Sequence, residues 1–193
     1  ESALLRRQPQ GFGLHADDVV RALIRTAGPE FRPDVFFAAA ERYWFELIAT
    51  RGIPPMPGAA ALLERLRERA ISFALATNSD GHYARLCLER AGLREAFGVI
   101  VTRDQVAQGK PAPDIFLEAA RRLGVAPARC LVLEDSETGL RAARAAGMLP
   151  ILIQGRAELR EKLRPLAHRA LPSLLELAAL LDGAGGHGGK DPL

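Results

Sequence analysis

Residues 130–153, "CLVLEDSETGLRAARAAGMLPILI", decide the fold. An apolar run ends in two adjacent carboxylates, Glu134 and Asp135. Apolar residues then recur at helical spacing through "SETGLRAARAAG", and a second apolar run, "LPILI", follows at once. Strands apolar on both faces need cover on both, and a strand, a crossover helix and a second strand of this kind form the unit of a parallel sheet.

The alternation continues upstream. "AAALLERLRERA" (59–70), "GHYARLCLERAGL" (81–93) and "PDIFLEAARRLG" (113–124) carry helical spacing, and between them lie the apolar runs "ISFALAT" (71–77) and "GVIVT" (98–102). The expected fold class is α/β, a doubly wound parallel sheet, whose ligands bind at the carboxyl ends of the strands. Those ends are Thr77 and Asn78, Thr102 and Arg103, Glu134 and Asp135, and Gln154 and Gly155.

Residues 1–52 read as helices only. "ADDVVRALIRTAG" (16–28) and "PDVFFAAAERYWFELIATRG" (33–52) are amphipathic, and "IPPMPG" (53–58) breaks the pattern as a rigid linker does. The expected organisation is a small helical domain over 1–55, an α/β core over 56–182, and a glycine-rich, disordered tail over 183–193 that leaves His187 and Lys190 solvated.

Composition narrows the function. The formal net charge is only +3, and the arginines are scattered without interleaved aromatics, so nucleic acid is not the expected partner. No apolar run is long enough to cross a bilayer and no signal-peptide pattern opens the sequence, so a cytoplasmic location is expected. Cys87 and Cys130 have neither metal nor disulfide spacing and read as small buried residues. His15, His82, His168 and His187 lie too far apart in sequence to suggest a zinc site, and any metal is expected to be a hard cation held by oxygens.

Three segments carry chemistry. Glu134 and Asp135 in tandem at a buried strand end repel each other unless a cation neutralises them, although one acidic residue there would also cap the next helix. Lysine occurs only at 110, 162 and 190 in a chain that otherwise uses arginine, and Lys110 stands in "QGKPAPDIF", a loop stiffened by Pro111 and Pro113. A compact ammonium there suits a phosphate or a carboxylate nucleophile; alone, it also reads as an exposed loop lysine. Asp114 is expected to cap the following helix. Thr77 ends "FALATNSD", where a hydroxyl and nearby N–H groups can hold a phosphoryl oxygen or simply build a turn. Together, hydroxyl, lysine and carboxylate pair at three strand ends make the set that holds a phosphoryl group and its metal.

With "PPMPGA", "FALATNS", "GKPAPDIF" and "LVLEDSETGLRAARAAG", the chain resembles the haloacid dehalogenase superfamily. The likeness is to its branch with a helical cap, which includes β-phosphoglucomutases, phosphoglycolate-type phosphatases and other sugar-phosphate phosphatases; it spans residues 50–155, and the helical region more loosely. The resemblance implies phosphoryl transfer through an aspartyl-phosphate on a small phosphorylated metabolite, with Mg2+ as cofactor. By position, Thr77 would bind phosphate, Lys110 would steady the nucleophile and transferring oxygens, Asp135 would hold Mg2+, and Glu134 would assist directly or through water. Asn78 would contact phosphate or substrate.

The family's nucleophile lies in an Asp-x-Asp segment closing its first strand, and none of these 193 residues forms one. Asp80 and Asp104 are not placed to replace it. Either the chain is a fragment of an enzyme, the favoured reading, or it is a natural remnant that binds without catalysis. In both cases the first strand is expected to be missing and the sheet to have a gap. A dehalogenase is disfavoured by the carboxylate pair, since carbon–halogen displacement needs no metal. Phosphatase and phosphomutase, the substrate, and the oligomeric state are left open.

Overall fold

In a computed structural model of the chain, the residues described are 30 to 183, together with 26 and 28. The helix expected over 16–28 and the tail beyond 183 fall almost wholly outside them. The chain separates into two units, residues 1–53 and 54–193.

In the first unit, α1 (Pro33–Arg51) starts with proline at a position whose N–H a helix does not need, and Asp34 in its first turn pairs with Arg32. The expected single apolar stripe is absent: Val35, Phe36, Tyr43 and Trp44 are exposed, and Ile48 is buried. The reason is visible in the sequence, where apolar residues fill consecutive positions and so encircle the helix.

The second unit alternates as expected: α2 (Ala59–Glu68), β1 (Leu75–Ala76), α3 (Gly81–Arg90), β2 (Ile100–Val101), α4 (Asp114–Leu123), β3 (Leu131–Glu134), α5 (Glu137–Ala145), β4 (Leu149–Ile153), α6 (Ala157–Leu163), β5 (Arg169–Leu171) and α7 (Leu174–Gly183). Every strand pair is parallel, but the strands form two sheets, β1–β2 and β3–β4–β5. The runs at 71–77 and 98–102 shrink to two paired residues each.

Among the described residues, both sheets have a free edge. Leu75 and Thr77 donate to Val99 and Val101, so by alternation the backbone groups of Ala76 point away from β2. Leu149 donates to Cys130, and in that register the N–H and C=O of Leu131 and Leu133 point away from β4. The expectation that strands are covered on both faces fails at β3, where Val132 is buried on one face while Leu131 and Leu133, on the other, are 43% and 37% exposed.

Helices, not strand hydrogen bonds, join the two sheets. One cluster contains Val101 of β2 and Val132 of β3 together with Ile115, Phe116, Ala119 and Ala120 of α4 and Ala142 and Ala143 of α5. The buried positions on α4 repeat at helical spacing, while Arg121 and Arg122 both pair with Glu118 on its outer side. On β4, Ile151 and Ile153 face a cluster with Leu62, Leu171 and Leu177, whereas Leu152 faces Leu140 and Leu163. Burying each such side chain contributes roughly 1.5–3 kcal/mol, which holds the strand ends in place beneath the polar cluster.

Candidate functional site

The carboxyl ends of β1 and β3 meet at Lys110. Its ammonium donates to the carbonyl of Ala76 at 3.0 Å, forms an ion pair with Glu134, and lies 4.8 Å from the ring centroid of Phe116. The Lys110 and Glu134 side chains are only 11% and 7% exposed, so this is a buried pair, and losing either partner strands a charge. The reading of Lys110 as a solvated loop residue is thereby excluded.

Glu134 is held from three sides. One oxygen meets Lys110, the other accepts from the Ser136 hydroxyl at 2.9 Å, and its carboxylate presses on the first turn of α5 at Gly139. A side chain at 139 would occupy the space of that carboxylate, which explains glycine in a helix that would otherwise favour alanine. Ser136 is also the helix cap, accepting from the Gly139 N–H at 3.1 Å. Capping and carboxylate placement are therefore one device, and the capping role falls to Ser136 rather than to the acidic pair.

Asp135 differs from its neighbour. No side chain among the described residues donates to its carboxylate, and burial, reinforced by the adjacent Glu134 charge, pushes it above the usual aspartate range. An exposed carboxylate that only its own backbone N–H and the charge of Lys110 offset, beside a second carboxylate, is the donor chemistry that a hard divalent cation relieves. Among the described residues no three His, Cys, Asp or Glu side chains converge, so the chain offers two carboxylates and not a closed cage. Beside Asp135 opens a cavity of about 230 Å3, lined also by Met56, Gln154, Pro172 and Ser173. A larger one of about 440 Å3, lined by Arg160, Arg164 and Arg169, shares no residue with this cluster.

Thr77 stands directly after Ala76. Its hydroxyl accepts from the Ser79 N–H at 3.1 Å and keeps its own proton for donation. The carboxamide of Asn78, expected to touch phosphate or substrate, is instead bonded at both ends to the main chain of Lys110. Asp114 does not cap α4; it accepts from the Gln108 N–H at 3.1 Å and folds the lysine loop back on itself. Asp80 and Asp104 are engaged at the start of α3, Asp80 accepting from His82 and Tyr83 and Asp104 from Gly81. Cys87 and Cys130, expected to be buried, are half-buried on an outer helix and just ahead of β3, and desolvation raises both thiols. Among the described residues no helix is long and apolar enough to cross a membrane.

Gly139, Gly109 and Arg103 belong to the site's architecture without being singled out in the sequence for that role, whereas a serine cap at 136 is one of the sequence's readings. The signal for Gly139 was present, a glycine in the first turn of an otherwise alanine-rich helix.

A family model described as haloacid dehalogenase-like hydrolase matches residues 7–147. The chain is 41% identical over 124 residues to Protein CbbY of Rhodobacter capsulatus, covering 62% of this chain and 53% of that protein. It is 33% identical over 145 residues to hexitol phosphatase A of Escherichia coli (strain K12), covering 75% and 67% respectively. Among solved structures, a HAD family hydrolase from Deinococcus radiodurans R1 with bound phosphate and sodium superposes with a TM-score of 0.72 at 35% identity, covering 92% of this chain and 77% of that one. The chain spans about half the length of the curated relatives it matches.

Proposed function

The chain belongs to the haloacid dehalogenase-like hydrolases, and on that premise we propose that it forms the phosphate- and cation-binding part of a phosphatase acting on a small phosphorylated metabolite, such as a sugar phosphate. The observation that carries this reading is Lys110, held at once by the end of β1 and by Glu134 at the end of β3, next to Asp135, to whose carboxylate no side chain among the described residues donates. In this reading the Thr77 hydroxyl donates to a phosphoryl oxygen and the Lys110 ammonium neutralises developing negative charge on the transferring group. Asp135 holds Mg2+, with Glu134 contributing directly or through water. When bound, Mg2+ supplies positive charge against the phosphoryl oxygens.

The nucleophile of this proposal is an aspartate outside the 193 residues, since they contain no Asp-x-Asp and the carboxylates of Asp80 and Asp104 are engaged at α3. A parallel strand between the free edges of β1 and β3 would bring such a group to Lys110. The names of relatives, among them a hexitol phosphatase and a fructose-1-phosphate phosphatase, support a phosphorylated polyol or sugar as substrate.

The missing Asp-x-Asp favours a second reading, a binding module without turnover. Release of inorganic phosphate from a panel of sugar and polyol phosphates, with and without Mg2+, separates the two. The assay compares the 193-residue chain with a chain that also carries an Asp-x-Asp strand. Mg2+-dependent turnover in the second form supports the phosphatase. No turnover in either, with Asp-x-Asp present, removes it.

A further inference from the structure

Asn78 and Lys110 are 32 residues apart, yet the Asn78 carboxamide pairs with the Lys110 main chain as one strand pairs with another. Its Nδ2 donates to the Lys110 carbonyl at 3.0 Å and its Oδ1 accepts the Lys110 N–H at 2.8 Å. Both bonds are part-buried, so the amide cannot swing toward a ligand without leaving a main-chain donor and acceptor unpaired.

The surroundings are shaped to this pairing. A Cβ on Gly109 would stand 2.6 Å from Asn78 Oδ1, 2.6 Å from Arg103 Cδ and 2.9 Å from Arg103 Nε. The Arg103 guanidinium in turn donates to the carbonyls of Val106 at 3.0 Å and Ala107 at 3.4 Å, and the Arg103 main-chain N–H donates to the Ser79 carbonyl at 2.9 Å. The loop after β1 and the loop before α4 are thus bound to each other at two successive residues of the first, Asn78 to Lys110 and Ser79 to Arg103.

We infer that Asn78 is the positioning residue for Lys110: its carboxamide fixes the lysine's backbone so that the ammonium lands between Ala76 and Glu134, and glycine at 109 admits the carboxamide. This deepens the phosphatase reading and rests on it for the role of Lys110, but the geometry is testable without turnover. The loop carrying Thr77 and the loop carrying Lys110 then act as one rigid unit, so the hydroxyl and the ammonium keep their spacing before any ligand arrives.

The test uses the 193-residue chain, with amide hydrogen exchange at Lys110 and acetylation of Lys110 measured against exposed Lys162 in the same molecule. In the unaltered chain the Lys110 amide exchanges at least about tenfold slower than an unstructured amide, and fast exchange overturns the inference. Asn78→Ala is expected to speed both exchange and acetylation of Lys110 about tenfold, with Lys162 unchanged, and no change at Lys110 overturns it. Asn78→Asp keeps the acceptor for the Lys110 N–H but sets its second oxygen against the Lys110 carbonyl, so Lys110 exchange is expected to lie between wild type and Asn78→Ala; exchange as fast as in Asn78→Ala would overturn the inference. Gly109→Ala is expected to mimic Asn78→Ala, and wild-type protection in that variant counts against the inference. Because no readout involves phosphate release, altered Lys110 protection in a chain without phosphatase activity supports the positioning role while removing the catalytic reading.

Discussion

The carboxylate of Glu134 lies against the bare Cα of Gly139, in the space any side chain at that position would need. The contact ties the end of β3 to the first turn of α5, and through the buried ion pair it also sets where Lys110 ends. Gly139→Ala should therefore be destabilising although alanine favours helices: overpacking is expected to cost about 2 kcal/mol, against about 1 kcal/mol gained in propensity. Urea titration of both proteins checks this, and a variant as stable as wild type would mean that Glu134 has room to leave.

The two adjacent acids should respond differently to neutralisation. Glu134→Ala leaves the Lys110 ammonium buried without its partner and is expected to cost about 3 kcal/mol. Asp135→Asn removes an exposed charge that Glu134 repels, so in the absence of divalent cation it should leave the unfolding midpoint unchanged or raise it slightly. Parallel denaturant titrations in chelator measure both; equal destabilisation by the two variants would refute the division of roles.

The edges of the two sheets give a prediction that alternates along β3. The backbone groups of Leu131 and Leu133 point away from β4, while those of Val132 point toward it. Residue-resolved hydrogen exchange should find the Leu131 and Leu133 amides exchanging at least about tenfold faster than that of Val132. If all are equally protected, another strand or a second copy covers that edge in solution.

These contrasts also mark what the sequence conveyed. Apolar runs ending in polar residues sufficed for a parallel α/β fold and for the ends that carry Thr77, Lys110 and the acidic pair. Run length did not translate into strand length: "ISFALAT" yields only Leu75–Ala76, the two residues that find register partners in β2. The short strand Arg169–Leu171 shows itself only through its pairing with β4. The Asn78–Lys110 pairing was invisible because nothing local links residues 32 positions apart, and a turn-forming Asn reads the same whether its amide faces solvent or a distant main chain. Gly109 and Gly139 were legible as glycines without a purpose until the groups pressing on them were placed.

The last prediction concerns pH. Asp135 titrates above the usual aspartate range in the folded chain, from burial first and the Glu134 charge second, so its charged form is disfavoured on folding. A carboxyl with a raised folded value stabilises the fold below its unfolded value and loses that contribution as pH rises through the folded value. In chelator, this group's contribution should therefore decline as pH rises through the interval just above the ordinary aspartate value. Divalent cation reverses the dependence, because it binds the charged form: Mg2+ should raise the thermal midpoint at neutral pH and lose that effect as pH falls, starting above the ordinary aspartate range. Asp135→Asn should abolish the Mg2+ increment at every pH while leaving the lysine pair intact. Thermal scans at several pH values, with Mg2+ and with chelator, measure these differences directly. A Mg2+ increment that survives in Asp135→Asn would move the cation site away from this carboxylate.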